Sequence, residues 1–256
     1  MARGLRHVFL SLTVLAASLS APFAGAATSA VSVGGIADIW LAGQPSGTVL
    51  NGGFPGSDVA PLNSPVLASS GLNLAAGTSI TFAATGATDY NGCASANPEG
   101  GGACGGGSFP ATLGISGYNG PINALVGVFL DAAVPAGPAP PTLDFSTPAS
   151  LTQATLTPQL RQVFFIGDGL TGTGSGARQQ FVIPAGATRL FLASSDGIGA
   201  NYNNFGSFSV LASDAFAAQS LAAVPANDPL MLLLTAILLG LAGGHWIKSR
   251  SNARQR

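Results

Sequence analysis

The chain carries little charge. Only 7% of its 256 residues are Asp, Glu, Lys or Arg, against roughly 25% in an ordinary soluble domain. The basic residues are concentrated at the two ends, so that residues 27–224 hold three arginines against nine carboxylates, a net charge of −6. Phosphate binding requires clustered cations. We therefore expect no nucleic-acid partner.

Residues 27–224 also lack histidine and lysine. This absence excludes a Ser-His-Asp triad, a Cys-His pair, a Schiff-base lysine and a His-ligated catalytic zinc. A glycosidase requires only two carboxyl groups and stays open as an alternative. Because these residues contain a single glutamate and no paired-carboxylate motif, we expect a protein that is not an enzyme.

Glycine and proline are abundant, with 36 and 17 residues, and they separate short apolar segments that alternate with small polar residues. Such segments are typical of strands. They lie at 31–33, 79–84, 124–130, 162–166, 180–183, 189–193 and 207–211. Strands with one apolar and one polar face predict an all-β fold, a two-sheet antiparallel β-sandwich of jelly-roll-like type. Long loops are expected at 42–70, 91–107 and 132–158.

Both ends of the chain carry targeting signals. Residues 1–26 combine a basic start, an apolar run too short to span a bilayer, and a small-residue cleavage pattern, which predicts a secretory signal peptide. Residues 229–247 are uncharged and long enough to span a membrane, and basic residues follow. We expect a sandwich domain at 27–213, a linker at 214–228, a transmembrane helix at 229–247 and a basic cytoplasmic tail at 248–256.

Cys93 and Cys104 are the only cysteines. In an exported protein, such a pair predicts a disulfide that closes the glycine-rich loop between them.

The carboxyl-terminal end resembles the exosortase sorting signals of Gram-negative bacteria, the PEP-CTERM and IPTL-CTERM types. Its proline-containing motif is Val224-Pro225-Ala226-Asn227-Asp228-Pro229, with Ala226-Asn227 where those signals have Glu-Pro or Thr-Leu. The resemblance implies an exosortase-type sorting enzyme as a partner. It also implies a protein at the Gram-negative cell envelope, either anchored by its helix or released after sorting. A plain single-span anchor is the alternative.

The densest polar cluster lies between two predicted strands. Asp196 follows the strand at 189–193, and Asn203 and Asn204 precede the strand at 207–211. The loop thus directs carboxylate and amide oxygens toward one point, and oxygen ligands suit calcium. A turn in which these side chains bind their own backbone is the alternative. Asp168, in a Gly-Asp-Gly sequence, is interpreted as a turn residue.

The run from Asp196 through Asn203-Asn204-Phe205-Gly206-Ser207-Phe208-Ser209-Val210 resembles the carboxyl-terminal motif of the calcium-dependent galactophilic (PA-IL-like) lectins of bacteria. Gly86-Ala87-Thr88-Asp89-Tyr90 resembles a second motif of that family. The resemblance implies calcium ligands at the Tyr90 and Ala200 carbonyls and at the Asp196, Asn203 and Asn204 side chains. It further implies that Asp196, Asn203 and the Gly197 amide bind the saccharide.

The family's other sugar contacts, a histidine and a glutamine, have no counterpart here. The saccharide is therefore expected to be galactose-like or an exopolysaccharide, without a narrower assignment. The alternative is a non-catalytic structural protein of the cell surface or extracellular polysaccharide matrix that binds no sugar.

Overall fold

Strands form nearly all the regular structure of the residues that the structure describes. The computed structural model describes residues 26–90 and 92–215. The predicted signal peptide except for its last residue, nearly all of the linker, the transmembrane helix and the basic tail lie outside this range. Among the described residues, no helix is long and apolar enough to cross a membrane.

The first half of the chain contributes nine strands. These are β1 (Thr28–Gly34), β2 (Val49–Leu50), β3 (Asp58–Val59), β4 (Val66–Leu67), β5 (Ser79–Tyr90), β6 (Cys93–Ala94), β7 (Gly106–Phe109), β8 (Tyr118–Pro121) and β9 (Leu125–Leu130). The second half contributes β10 (Leu143–Asp144), β11 (Thr155–Leu156), β12 (Val163–Phe165), β13 (Leu170–Gly172), β14 (Ser175–Arg178), β15 (Gln180–Val182), β16 (Arg189–Ser194) and β17 (Asn204–Ala215). A single-turn α-helix, α1 (Pro148–Leu151), and 3-10 turns at Ile39–Leu41, Gly102–Cys104 and Asn201–Asn203 complete the described elements.

Two larger sheets enclose the core. The first sheet has the order β1-β17-β5-β15-β11, with β6 paired to β5, and the second has the order β12-β9-β16-β4. The rings of Phe164 on β12 and Phe181 on β15 lie 5.3 Å apart between centroids, which joins the two sheets. Side chains on β5 alternate as predicted, with Ile80 and Phe82 fully buried. The prediction of an all-β fold is confirmed for the residues that the structure describes.

The sheets are more numerous and less uniform than predicted. Three small sheets accompany the large ones, in the orders β10-β8-β7, β13-β14 and β2-β3. Two short pairings, β10 with β8 and β11 with β15, are parallel, whereas the prediction was wholly antiparallel. The 42–70, 91–107 and 132–158 regions, predicted as loops, contain β2 to β4, β6 and β7, and β10, α1 and β11 respectively.

The pairing of β5 with β17 extends well beyond the predicted segments. Twelve register pairs run without interruption from Tyr90–Asn204 to Ser79–Ala215. Gly86 and Gly206, both with positive φ, lie inside this ladder, and a β-carbon on either would overlap a backbone carbonyl of the opposite strand. Glycine is therefore required by the close approach of the strands. β17 also passes the expected domain end at 213.

The predicted disulfide is present. Cys93 and Cys104 are bonded at 2.04 Å, and the Cys93 carbonyl accepts a hydrogen bond of 2.8 Å from the Asn123 side chain. The bridge fastens the glycine-rich loop beside the end of β5.

Candidate functional site

The loop between β16 and β17, residues 195–203, is referred to below as the Asp196 loop. Its first residue, Ser195, hydrogen-bonds to the end of β8 and to the residue before β9. The Ser195 hydroxyl donates to the Pro121 carbonyl at 2.7 Å and accepts from the Ala124 amide at 2.8 Å. The chain therefore leaves β16 in a defined direction, and Asp196 follows in a buried position with 7% of its surface exposed.

Asn204 joins this loop to the end of β5. Its side-chain Nδ2 donates to Asp196 Oδ2 at 3.0 Å, and its backbone pairs with Tyr90 across the ladder. Directly opposed residues of antiparallel strands have α-carbons about 4.5–5.5 Å apart. Tyr90, Asp196 and Asn204, which come from two distant stretches of sequence, thus lie at one place.

The other predicted site residues also lie in the Asp196 loop. Ala200 is buried and immediately precedes the 3-10 turn that contains Asn203, which is partly exposed. The Gly197 amide donates to Asp196 Oδ1 at 2.7 Å, so its hydrogen is directed to the loop's own carboxylate. Of the five predicted metal ligands, Asp196, Ala200, Asn203 and Asn204 are close in sequence, and Tyr90 pairs with Asn204.

Sequence reasoning missed a second group of residues, which a distant segment brings to the same loop. This segment, residues 35–63, is referred to below as the 35–63 segment. Asp38 Oδ2 accepts from the Gly199 amide at 3.1 Å, and Asp58 Oδ2 accepts from the Asn201 amide at 2.8 Å. The Asn201 side chain donates in turn to the Gly35 carbonyl at 3.0 Å. The only signal in the sequence was a lone aspartate inside the apolar run 36–42.

Close backbone contacts hold the 35–63 segment against the Asp196 loop. A β-carbon on Gly52 would overlap the Ile198 carbonyl, and one on Gly56 would overlap the Tyr202 ring. Phe54 lies between these glycines and is 48% exposed. Its Cε2 atom is 3.5 Å from the position that a β-carbon on Gly197 would occupy. An exposed aromatic ring therefore borders the loop.

Three carboxyl groups are buried in this region. Asp38 and Asp58 have no exposed surface and Asp196 has 7%. Burial raises the pKa of all three, and that of Asp38, which also faces the Asp58 carboxyl group, lies well above its ordinary value. A buried carboxylate is costly unless a proton or a cation neutralises it.

Arginine does not provide that neutralisation. Arg161 donates to the Ala136 carbonyl, Arg178 to the Phe82 carbonyl and Arg189 to the Asp131 carbonyl. These are the arginines of residues 26–90 and 92–215, which hold no lysine. The charge of the buried carboxyl groups must therefore be balanced by something other than a basic side chain.

Three buried acceptor oxygens in the same network receive no N–H or hydroxyl donor among the described residues: Asp58 Oδ1, Asn201 Oδ1 and Asn204 Oδ1. The Asp38 carboxyl group, when protonated, can donate to Asp58. An excess of oxygen acceptors over donors is the composition that a hard cation requires. No group of three or more His, Cys, Asp or Glu side chains in the described residues is arranged to hold a metal ion. Any ion here would thus depend on amide and carbonyl oxygens as well as carboxylates.

A second pair of acidic residues lies elsewhere. The Asp168 amide donates to Glu99 at 3.3 Å, while the Asp168 carboxylate accepts from the Leu170 amide at 2.8 Å and the Gly174 amide at 2.6 Å. These bonds to nearby amides give Asp168 the turn role predicted for it.

Comparison with known proteins adds no relative. No family model, curated protein or solved structure matches the chain.

Proposed function

We propose that the protein is an exported, envelope-associated carbohydrate-binding protein that holds a saccharide through a bound calcium ion. The observation that carries the proposal is that Asn204 donates a hydrogen bond to Asp196 and also pairs with Tyr90 across the β5–β17 ladder. It unites the two sequence motifs on which the resemblance to the galactophilic lectins depends. The two large sheets, joined through Phe164 and Phe181, suit the two-sheet sandwich expected for such a lectin.

The proposed ligands supply the chemistry that calcium prefers. Calcium takes six to eight oxygens at about 2.3–2.6 Å. The Asp196 carboxylate, the Asn203 and Asn204 amide oxygens, and the Tyr90 and Ala200 carbonyls would provide most of this shell. Two vicinal hydroxyls of a saccharide would complete it in place of two water molecules, with Asp196 and Asn203 as their hydrogen-bond partners.

Phe54 would form the apolar part of the saccharide site. Sugars combine hydroxyl groups with C–H faces, and binding sites commonly pair a few placed polar groups with aromatic surface. The exposed ring of Phe54 beside Gly197 offers such a surface.

The test is a glycan array probed with the full-length protein, with calcium or with a chelator. We expect binding to at least one glycan that is lost on chelation, and lost again in Asp196→Ala, with unchanged circular dichroism. Asp144→Ala, which removes an exposed carboxylate, is the matched control and should bind as wild type. Glycan binding that persists in chelator would overturn the calcium mechanism.

The proposed location depends on the two ends of the chain. Cleavage near residue 26 would export the domain, and the helix at 229–247 would hold it at the envelope until an exosortase-type enzyme acts at 224–229. Mass spectrometry of the protein purified from its native cells tests this order. A mature carboxyl terminus before residue 229 supports sorting, whereas an intact residue 256 supports a plain anchor.

Burial at the site favours a second candidate function, a structural protein of the surface or matrix that binds a cation without sugar. Asp196 is 7% exposed, and its two carboxylate oxygens already accept from the Gly197 amide and the Asn204 side chain, so little of it is accessible to a sugar. This function predicts calcium binding with no chelator-sensitive signal on the array.

A further inference from the structure

We infer that Asp58 is a further ligand of the proposed calcium ion, so that the 35–63 segment contributes a second carboxylate to the ion that Asp196 binds. This inference rests on the proposed function, and it adds a residue that lies outside both lectin-like motifs.

The position of Asp58 supports this role. Asp58 begins β3, has no exposed surface, and uses only Oδ2 to accept the Asn201 amide at 2.8 Å. No N–H or hydroxyl group among the described residues donates to its buried Oδ1 atom, and the Asp38 carboxyl group lies within hydrogen-bonding reach of Asp58. Without a cation, a proton on Asp38 would be shared with Asp58, and a bound calcium ion would take the place of that proton. Asp58 accepts the Asn201 amide of the loop that also carries Asp196, so the two carboxyl groups belong to one buried network. Buried charges are paired or coordinate a metal ion.

The neighbouring amides reinforce the argument. The side-chain nitrogens of Asn201 and Asn204 both donate to the Gly35 carbonyl, at 3.0 and 3.3 Å. Their Oδ1 atoms are left, with that of Asp58, as buried acceptors without an N–H or hydroxyl donor in the described chain. A water molecule donates at most two hydrogen bonds, whereas one calcium ion accepts six to eight oxygens. A single ion bound between the two segments would satisfy oxygens on both of them.

Asp38 has a different part in this arrangement. Its two oxygens already accept hydrogen bonds, Oδ1 from the Trp40 amide at 2.8 Å and Oδ2 from the Gly199 amide at 3.1 Å. It faces the Asp58 carboxyl group and is fully buried. We assign it as a positioning residue that holds the 35–63 segment against the Asp196 loop, and not as a ligand.

A second carboxylate changes the expected strength of the site. Calcium affinity in proteins rises with the number of charged ligands and with the rigidity of the site. One carboxylate alone is expected to give a dissociation constant of about 10⁻⁴–10⁻³ M, the range of extracellular modules. With Asp58 as a second carboxylate ligand, the dissociation constant for calcium should be lower than that range, which means tighter binding.

The experiment is calorimetric titration of the full-length protein with calcium chloride, in wild type and in Asp58→Asn, Asp196→Asn and Asp144→Asn. Each substitution removes one negative charge with little change in shape, and Asp144, which is exposed, is the matched control. We expect Asp58→Asn and Asp196→Asn each to weaken calcium binding at least tenfold and Asp144→Asn to leave it unchanged.

The outcomes separate this inference from the proposed function. If Asp58→Asn binds calcium as Asp144→Asn does, and Asp196→Asn binds it more weakly, then Asp58 is not a ligand. The calcium site proposed at Asp196 would be unaffected by that result. A wild-type protein that binds no calcium removes the site altogether. If circular dichroism shows that Asp58→Asn is unfolded, a calcium-soaked wild-type crystal decides. An ion within about 2.6 Å of an Asp58 oxygen supports the inference, and an ion coordinated without Asp58 refutes it.

Discussion

Asn204 shows how a single side chain can serve the fold and the site at once. Its backbone starts β17, and its side chain contacts both Asp196 Oδ2 and the Gly35 carbonyl. Three separate parts of the chain, the end of β5, the Asp196 loop and the 35–63 segment, meet at this residue. The geometry of any ion bound there is therefore set by β-sheet pairing and not by the loop alone.

Phe54 is the residue whose substitution should distinguish the proposed sugar binding from the proposed calcium binding. Phe54→Ala should weaken saccharide binding about tenfold, roughly 1.4 kcal/mol, because the ring would pack on the sugar and touch no proposed metal ligand side chain. Calcium affinity should be unchanged. Titration of an array-identified glycan, in the presence of calcium, measures the first effect, and calcium calorimetry measures the second.

Leu62→Ala is the control for this prediction, since Leu62 is an apolar side chain of the same segment with 74% of its surface exposed. It should bind the glycan as wild type does. Equal losses in the two variants would mean that Phe54 has no specific contact with the sugar.

At the scale of elements, local patterns in the sequence predicted seven of the ten strands of the two large sheets, but not their full extent and none of the strands of the small sheets. Alternating apolar residues located β1, β12, β15 and β16 to within a few residues. β5 and β17 were predicted too short, because Gly86 and Gly206 resemble strand breakers in sequence. Their role depends on the opposite strand, where each allows a close backbone approach, and no local pattern contains that information.

The residues of the candidate site also differ in whether they could be predicted from the sequence. The Asp196 loop and Tyr90 were accessible from sequence because short motifs carry them. Asp38 and Asp58 were not, since only the packing of the 35–63 segment brings them to the Asp196 loop, more than 130 residues away in sequence. Two of the nine acids in residues 27–224 could not be recognised as site residues without that long-range contact.

Substitution of Gly35 tests how closely the 35–63 segment packs against β17. Its amide donates to the Gly206 carbonyl at 3.0 Å, and a β-carbon there would lie 2.5 Å from the Phe205 carbonyl oxygen. Gly35→Ala should therefore lower the free energy of unfolding by about 1–3 kcal/mol, the usual cost of overpacking. It should also weaken calcium binding, because the Gly35 carbonyl accepts from Asn201 and Asn204. Chemical denaturation and calcium calorimetry measure the two effects.

The adjacent Gly34 provides the control. A β-carbon on Gly34 would meet only Ile36 Cγ1 at 3.7 Å, an ordinary van der Waals contact. Gly34→Ala should be close to neutral in both measurements. Similar destabilisation by the two substitutions would show that close approach at Gly35 is not the cause.

At the scale of the whole molecule, acidic groups outnumber basic ones and several of them are buried. Burial raises the pKa of Asp38, Asp58, Asp196 and Glu99 above their ordinary values. Between the ordinary pKa of these acids and their raised values in the fold, the cation-free folded protein therefore retains protons at these groups that the unfolded chain has lost. Under those conditions the free energy of unfolding falls as the pH rises.

This linkage predicts an uncommon pH dependence. In chelator, the melting temperature of the full-length protein should be lower at about pH 7.5 than at about pH 5, because the buried carboxyl groups lose their protons only at a cost to the folded state. Calcium should reverse the loss at the higher pH, by about 2.7 kcal/mol when its concentration is a hundred times its dissociation constant. Asp38→Asn, which mimics the protonated acid, should flatten the pH dependence in chelator. A melting temperature in chelator that rises between these two pH values would show that these carboxyl groups are already ionised and compensated within the folded chain, with no need for an ion.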